Sequence, residues 1–357
     1  MRIKVFDFYS GCGGTSAGLQ AAGMEVVFGL DIDPDAGATF RCNFPRAHFL
    51  RKDLTHLRAN RIEALVREHR GNPILFCGCV PCQPFSKQSP HRKKVKDDRI
   101  PLLSHFGRFV RYFLPEFVLV ENVPGLQAIT GEPGPLPAFV RLLQNLGYQL
   151  AMGTIDCRDY GVPQKRRRFV LLASKIGSIE LPPKTHGTRT GRNGFSTVGE
   201  WISDLPPIEA GEECTSVLNH RAASLSPLNL RRIKATPPGG CRLDWPSELA
   251  LACHATHSGH TDVYGRLRMD QPASALTTRC ISLSNGRFGH PLQNRALSVR
   301  EAASLQTFDR DFRFFGNLNS MARQIGNAVP TLLARCLGEQ FVRCANSYYS
   351  ERSLGRI

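Results

Sequence analysis

The first half of the chain alternates short apolar runs with helix-patterned stretches, and that alternation admits few folds. Val5-Phe6-Asp7-Phe8-Tyr9 is a strand run. The glycine-rich turn Ser10-Gly11-Cys12-Gly13-Gly14 follows it, and Thr15 to Ala22 then reads as a helix closed by Gly23. Glu25 to Leu30 repeats the strand and Pro34 to Asn43 the helix, with Asp33 placed to cap it before Pro34. His48-Phe49-Leu50 is a third strand and Asn60 to His69 a basic helix. Ile74-Leu75-Phe76-Cys77 and Phe117-Val118-Leu119-Val120 are buried strands of a parallel sheet, separated by a helix from Leu102 to Leu114. A helix from Leu136 to Leu146 and strands at Tyr148 to Asp156 and Val170 to Ala173 complete the pattern. The arrangement predicts a doubly wound α/β sheet, in which ligands and reacting groups gather at the carboxyl ends of the strands.

Those strand ends carry chemistry. Gly78-Cys79-Val80-Pro81-Cys82-Gln83-Pro84-Phe85-Ser86 follows the fourth strand. Pro81 and Pro84 cannot continue it, so the chain turns and projects Cys82, a candidate nucleophile in its thiolate form. Cys79 and Cys82 form a C-x-x-C, but no second pair completes a zinc site. Glu121, in Glu121-Asn122-Val123-Pro124-Gly125, reaches the same rim from the next strand. Asp31, about twenty residues beyond the glycine turn, is placed to accept from ribose hydroxyls, and Asp53 sits at another strand end. The glycine turn is not the dinucleotide fingerprint, so phosphate binding is not forced. In the extended segment from Val162 to Phe169, Gln164, Arg166 and Arg168 share one face, while Lys165 and Arg167 point the other way.

With 46 Lys+Arg against 30 Asp+Glu, the net charge of +16 suits a polyanionic partner, nucleic acid before membrane. Polar, basic residues from Lys87 to Arg99 abut Cys82 and read as a mobile loop able to close over a phosphate backbone. No apolar run spans a membrane, no signal-peptide layout opens the chain, and the twelve cysteines read as reduced thiols. The expected location is therefore cytoplasmic. From about Ser178 to Leu292 prolines and glycines break the pattern. Basic residues scatter through that region: His220, Arg221, Arg231, Arg232, Lys234, Arg266, Arg268, Arg279 and Arg287. Cys253, His254, His257 and His260 lack a partner motif, so they read as polar loop residues and no metal is expected. Ser298 with Glu301 forms a capping box, and a last helix runs to about Tyr348.

Five blocks occur in an informative order: Asp7 to Gly14, Pro81-Cys82-Gln83, Glu121-Asn122-Val123, Gln164-x-Arg166-x-Arg168 and Gly326-Asn327-Ala328-Val329. Together they span nearly the whole chain, which resembles the DNA (cytosine-5)-methyltransferase family, compact bacterial type. The resemblance implies a Rossmann-like sheet that uses S-adenosylmethionine as methyl donor, and a smaller irregular target-recognition domain at 184–317. The catalytic domain would then comprise 1–183, completed by 318–357.

Position by position, the resemblance implies these roles. Cys82 adds to carbon 6 of cytosine, Glu121 holds and protonates ring N3, Arg168 binds O2, and Arg166 supports that network or the thiolate. Tyr9, where many members have Phe, packs on the adenine with Ile32; Asp31 takes the ribose and Asp53 the adenine amino group. Asp7, Phe8, Ser10, Gly11, Gly13 and Gly14 face the rest of the cofactor, with Leu54, Pro81, Leu102, Asn327, Ala328 and Val329 completing its pocket. Gln83, Ser86, Arg99 and Gln164 are the candidate DNA contacts. The implied partners are double-stranded DNA and a cognate restriction endonuclease, and the implied state is a monomer. An RNA cytosine methyltransferase on the same fold and a silent DNA-binding protein are the alternatives; an intact Cys82, Glu121, Arg166 and Arg168 argues against the second.

Overall fold

The computed structural model describes residues 2–80, 102–124, 134–188, 191, 193–251 and 261–354. The chain forms two compact units. The first comprises Met1–Asp156, Arg167–Pro183 and Thr331–Ile357; the second comprises Cys157–Arg166 and Lys184–Pro330. Segments 157–166 and 318–330 thus cluster with the second unit, whereas the sequence placed them with the first.

The first unit is built on a seven-stranded sheet. Its strands are β1 (Lys4–Phe8), β2 (Glu25–Asp31), β3 (His48–Arg51), β4 (Ile74–Gly78), β5 (Phe117–Asn122), β6 (Gln149–Asp156) and β8 (Arg167–Ser174), whereas the two-residue β7 (Gln164–Lys165) lies in the second unit. The order is β3-β2-β1-β4-β5-β8-β6. The five strands from β3 to β5 run parallel. One strand departs from the parallel expectation: β8 is antiparallel to both β5 and β6, so β6 runs in the same direction as the five. The reason is the connection, since antiparallel neighbours need no crossover helix, and only a short 3-10 turn at Cys157–Tyr160 and β7 separate β6 from β8.

The helices are α1 (Gly14–Ala21), α2 (Pro34–Asn43), α3 (Glu63–His69), α4 (Leu102–Phe113) and α5 (Pro135–Asn145), with a C-terminal helix at Thr331–Ser353. The expected Asn60–His69 helix begins instead as a 3-10 turn, Ala59–Ile62. Because side chains alternate along β1, Phe6 and Phe8 face one side and Asp7 the other. Phe8 packs on Phe76, Phe106 and Phe109 with ring centroids 5.0, 5.5 and 5.2 Å apart, which fastens α4 to the sheet. On the opposite face Phe117 meets Phe341 of the C-terminal helix at 5.2 Å.

The second unit has few regular elements, so many backbone carbonyls lack strand or helix partners, and buried arginines supply the donors. Arg266 donates to the carbonyls of Ile233, Thr236, His290 and Gln293. Arg300 donates to those of Leu218, Asp309 and Phe312. Arg295 pairs with Glu301 at 2.7 Å, and Glu301 closes the expected capping box with Ser298. Arg266 and His220, which the sequence left among the scattered basic residues, are therefore buried scaffold groups. Arg221, Arg231, Lys234, Arg268 and Arg279 are exposed. Residues 252–260, with the His/Cys group expected to be polar loop, lie outside the described residues.

Gly18 shows how tightly α1 meets the C-terminal helix: a Cβ there would lie 2.2 Å from the Thr331 carbonyl oxygen and 2.5 Å from Ala334 Cβ. Gly18→Ala should force the helices apart at a cost of about 1–3 kcal/mol and lower the melting temperature by several degrees. Calorimetry of the two proteins checks this; an unchanged melting point would show that the contact yields freely.

Candidate active site

The winding direction of the sheet reverses between β1 and β4, and the ends of these two strands bear the glycine turn and the Cys79-Val80 segment. Crevices at such reversals are where open α/β sheets bind ligands. The chain leaves β1 through three residues of positive φ: Tyr9 at 62°, Gly11 at 53° and Gly13 at 97°. Glycine adopts that conformation freely, whereas at Tyr9 it is strained.

Asp31, at the end of β2, braces the turn. Its Oδ2 accepts from Gly11 N at 2.8 Å and its Oδ1 from Asp33 N at 2.9 Å. Burial raises its pKa. Asp33 caps α2 as expected, accepting from the amides of Asp35 and Ala36. Ile32 between them is 67% exposed, which is unusual for a large apolar side chain at a strand end. Asp53 caps the 3-10 turn Leu54–His56, accepting from Thr55 N at 2.8 Å. Leu54 and Leu102 are buried, and the Tyr9 hydroxyl donates to the Leu102 carbonyl at 3.2 Å. Burial pushes the Tyr9 phenol well up, and the charges of Asp53 and Asp31 push it further.

Beneath the turn lies a polar group in an apolar place. Asp7 is fully buried; Ser16 Oγ donates to its Oδ2 at 2.6 Å, and its Oδ1 has no hydrogen-bond partner among the described residues. Burial, helped by Asp31, raises its pKa to about 7. Thr15 Oγ1 lies 3.3 Å from Cys79 Sγ. Burial, and then the charges of Glu121 and Asp7, push the Cys79 thiol well up, so it stays protonated.

Glu121 and Arg168 come together across the antiparallel pairing of β5 and β8. Arg168 Nε lies 2.8 Å from Glu121 Oε1, and the two side chains are 16% and 10% exposed. Asn122, next along β5, donates through Nδ2 to the Val80 carbonyl at 3.1 Å and so ties the end of β5 to the chain that leaves β4. The described chain stops at Val80. Pro81, Cys82, Gln83, Ser86 and Arg99 lie outside the described residues, as does the expected loop around them.

The shared face expected for Gln164, Arg166 and Arg168 divides at Arg167, where the units change. Burial still alternates, with Lys165 and Arg167 exposed. Arg168 meets Glu121 in the first unit, while Gln164 and Arg166 are held by the second. Arg166 donates to the carbonyls of Leu276 at 2.9 Å, Gly326 at 3.0 Å and Ala328 at 3.2 Å. Gln164 is completely buried, donating to Leu305 O and Gln306 and accepting from Leu276 N. Its amide, expected to contact DNA, is thus used inside the unit. Asn327, Ala328 and Val329 also belong to the second unit, where Arg166 grips the carbonyls on either side of Asn327. The sequence reading gave Ser16 and Gln306 no role and no local signal marked them, while Asn122 stood in the Glu121-Asn122-Val123 block without an assigned partner.

The residues of the first unit fit a nucleoside cofactor. A carboxylate stands at the end of β2, an exposed apolar side chain follows it, and above Gly11 a Cβ would meet nothing within 4 Å. The fold is thus a doubly wound α/β sheet that carries an acid–guanidinium pair, Glu121 and Arg168, at one strand end. Residues 3–343 match the family model for C-5 cytosine-specific DNA methylases, and the chain belongs to that family. It is 38% identical to the type II methylase M.HgiDII of Herpetosiphon aurantiacus over 99% of this chain and 98% of that one. It is 33% identical to the type II methyltransferase M1.HphI of Haemophilus parahaemolyticus, covering 96% and 87% of the two chains. Among solved structures, a candidate DNA modification methyltransferase encoded within an E. coli prophage superposes with a TM-score of 0.74 at 24% identity, covering 96% and 99%. The S. pombe Dnmt2 methyltransferase does so with 0.64 at 17%, covering 97% and 100%. The protein is a DNA cytosine-5 methyltransferase, and its methyl donor is S-adenosylmethionine.

The raised pKa of Asp7 makes a prediction whose sign is determined. The folded state holds a proton on Asp7 up to about pH 7, while the unfolded chain releases it near 3.8, so stability falls as pH rises through that window. Asp7→Asn removes the titration. The urea midpoint of the variant should gain on that of the unsubstituted protein from pH 4 to 7 and then level off; a constant difference across that range would refute a buried neutral acid.

Proposed function

We propose that the chain methylates a cytosine flipped out of one short duplex sequence, with Cys82 as the attacking thiolate. The observation that carries the chemistry is the Glu121–Arg168 pair, a carboxyl and a guanidinium held 2.8 Å apart at a strand end. Carbon 5 of cytosine is a poor nucleophile. Addition of the Cys82 thiolate to carbon 6 turns the ring into an enamine, nucleophilic at carbon 5. Glu121 protonates N3 as the addition proceeds, so no charge is left uncompensated, and Arg168 binds O2 and orients Glu121. Carbon 5 would then take the methyl group that bound S-adenosylmethionine supplies, with S-adenosylhomocysteine as the leaving group; a base takes the carbon 5 proton, the carbon 6–sulfur bond breaks to release the thiolate, and N3 returns its proton to Glu121.

The target atoms are stacked in duplex DNA, so the base must leave the helix to be reached. When bound, S-adenosylmethionine supplies an electrophilic methyl group. Asp31 would hold its ribose, Asp53 its adenine amino group, and Tyr9 and Ile32 its adenine ring. The assignment of Asn327, Ala328 and Val329 to the cofactor, and of Gln83, Ser86 and Arg99 to DNA, rests on the family resemblance. Arg166, through its grip on the Gly326 and Ala328 carbonyls, supports the chemistry by positioning that turn.

The second unit, with its exposed Arg231, Lys234 and Arg279, is the proposed target-recognition region, reading base edges in the major groove. Type II methylases among the relatives support a place in a restriction–modification system beside a cognate endonuclease. The protein would act as a monomer at the nucleoid. Among the described residues no helix is long and apolar enough to cross a membrane.

Bisulfite sequencing of plasmid from a methylase-free host expressing the chain tests the reading. Protected cytosines at one short motif are expected; a fully converted plasmid from cells containing the folded protein would overturn it. Cys82→Ser should lower turnover by about three orders of magnitude or more while cofactor binding persists. Turnover near that of the unsubstituted enzyme would remove Cys82 from the mechanism.

A further inference from the structure

The turn after β1 holds a tyrosine in a strained conformation, and its hydroxyl makes a bond that phenylalanine could not. Tyr9 has φ 62°, a region that bulky residues rarely adopt. Its hydroxyl donates to the Leu102 carbonyl at 3.2 Å, across 93 positions of sequence. Leu102 opens α4, so this bond joins the end of β1 to the first turn of that helix. A second side chain makes a similar link: Arg108 of α4 donates to the carbonyls of Leu54 at 3.2 Å and Thr55 at 3.3 Å, in the turn capped by Asp53. The end of β1, the Asp53 turn and the start of α4 are therefore tied by side chains that reach backbone carbonyls. The ring of Tyr9 could fill its place without the oxygen, so packing alone does not account for the hydroxyl.

We propose that the Tyr9 hydroxyl is a positioning group for cofactor binding: its bond to Leu102 sets the first turn of α4 against the end of β1 before S-adenosylmethionine arrives. The proposal rests on the assignment of the adenine to Tyr9 and its neighbours. Preorganisation acts on affinity, because a wall held in place beforehand need not be ordered when the ligand binds. Loss of one neutral hydrogen bond of this kind should weaken binding about fivefold. Bond-making and bond-breaking on the cytosine do not involve the hydroxyl, so turnover at saturating cofactor should hold.

The test is Tyr9→Phe in the full chain, titrated with S-adenosylhomocysteine by calorimetry, together with steady-state kinetics and amide hydrogen exchange in the first turn of α4. The expected result is a Kd about fivefold weaker, KM for S-adenosylmethionine raised to match, and kcat and KM for DNA unchanged. Amides of residues 103–107 should exchange faster in the free variant. A Kd within twofold of the unsubstituted protein would overturn the proposal, even if the melting temperature fell, since that pattern belongs to a purely structural bond. Failure of the unsubstituted protein to bind S-adenosylhomocysteine would instead overturn the cofactor assignment beneath it.

Discussion

Parallel pairing of β1 with β4 is the constraint on which the site depends. The winding reverses between these strands, so no crossover covers the crevice at their ends, and both strands deliver their next residues to it. The glycine turn, the strained Tyr9 and the Cys79-Val80 segment all follow from that pairing. The aromatic layer that holds it closed is local: Phe6, Phe8 and Phe76 pack side by side on adjacent strands under α4.

Polar groups in this setting are held where solvation is poor, and that is what gives them specific properties. Glu121 and Arg168 are nearly buried, so each depends on the other; removal of one partner from such a pair typically costs about 3–5 kcal/mol. Asp7 answers the same pressure differently. With no cation beside it among the described residues, it keeps its proton up to about pH 7. The second unit uses a third device. Its irregular backbone is cross-linked by arginines whose guanidinium groups each satisfy several carbonyls, so some of its positive charge is interior. Net charge therefore overstates what that unit presents to a polyanion, and the exposed Arg231, Lys234 and Arg279 are the better guide.

The elements most readable in the sequence were those whose physics is local. The Pro34–Asn43 helix with its Asp33 cap and the Ser298–Glu301 box needed only neighbouring residues. The parallel strands were equally plain, because buried parallel strands are continuous apolar runs. Alternation along 164–168 was visible too, and burial obeys it. What alternation could not reveal is that the segment passes from one unit to the other at Arg167, so that residues of one face serve different partners.

Local pattern was thus enough to place the strands, the caps and the order of the chemical blocks, since backbone geometry and side-chain period act over a few residues. Long-range pairing decided the rest. Only the tertiary structure put Arg168 against Glu121, Asn122 against the Val80 carbonyl, and Tyr9 against Leu102. It also turned Gln164 and Arg166 inward to carbonyls more than a hundred residues away. A side chain's partner across such distances depends on which strands become neighbours, and no short stretch of sequence carries that information.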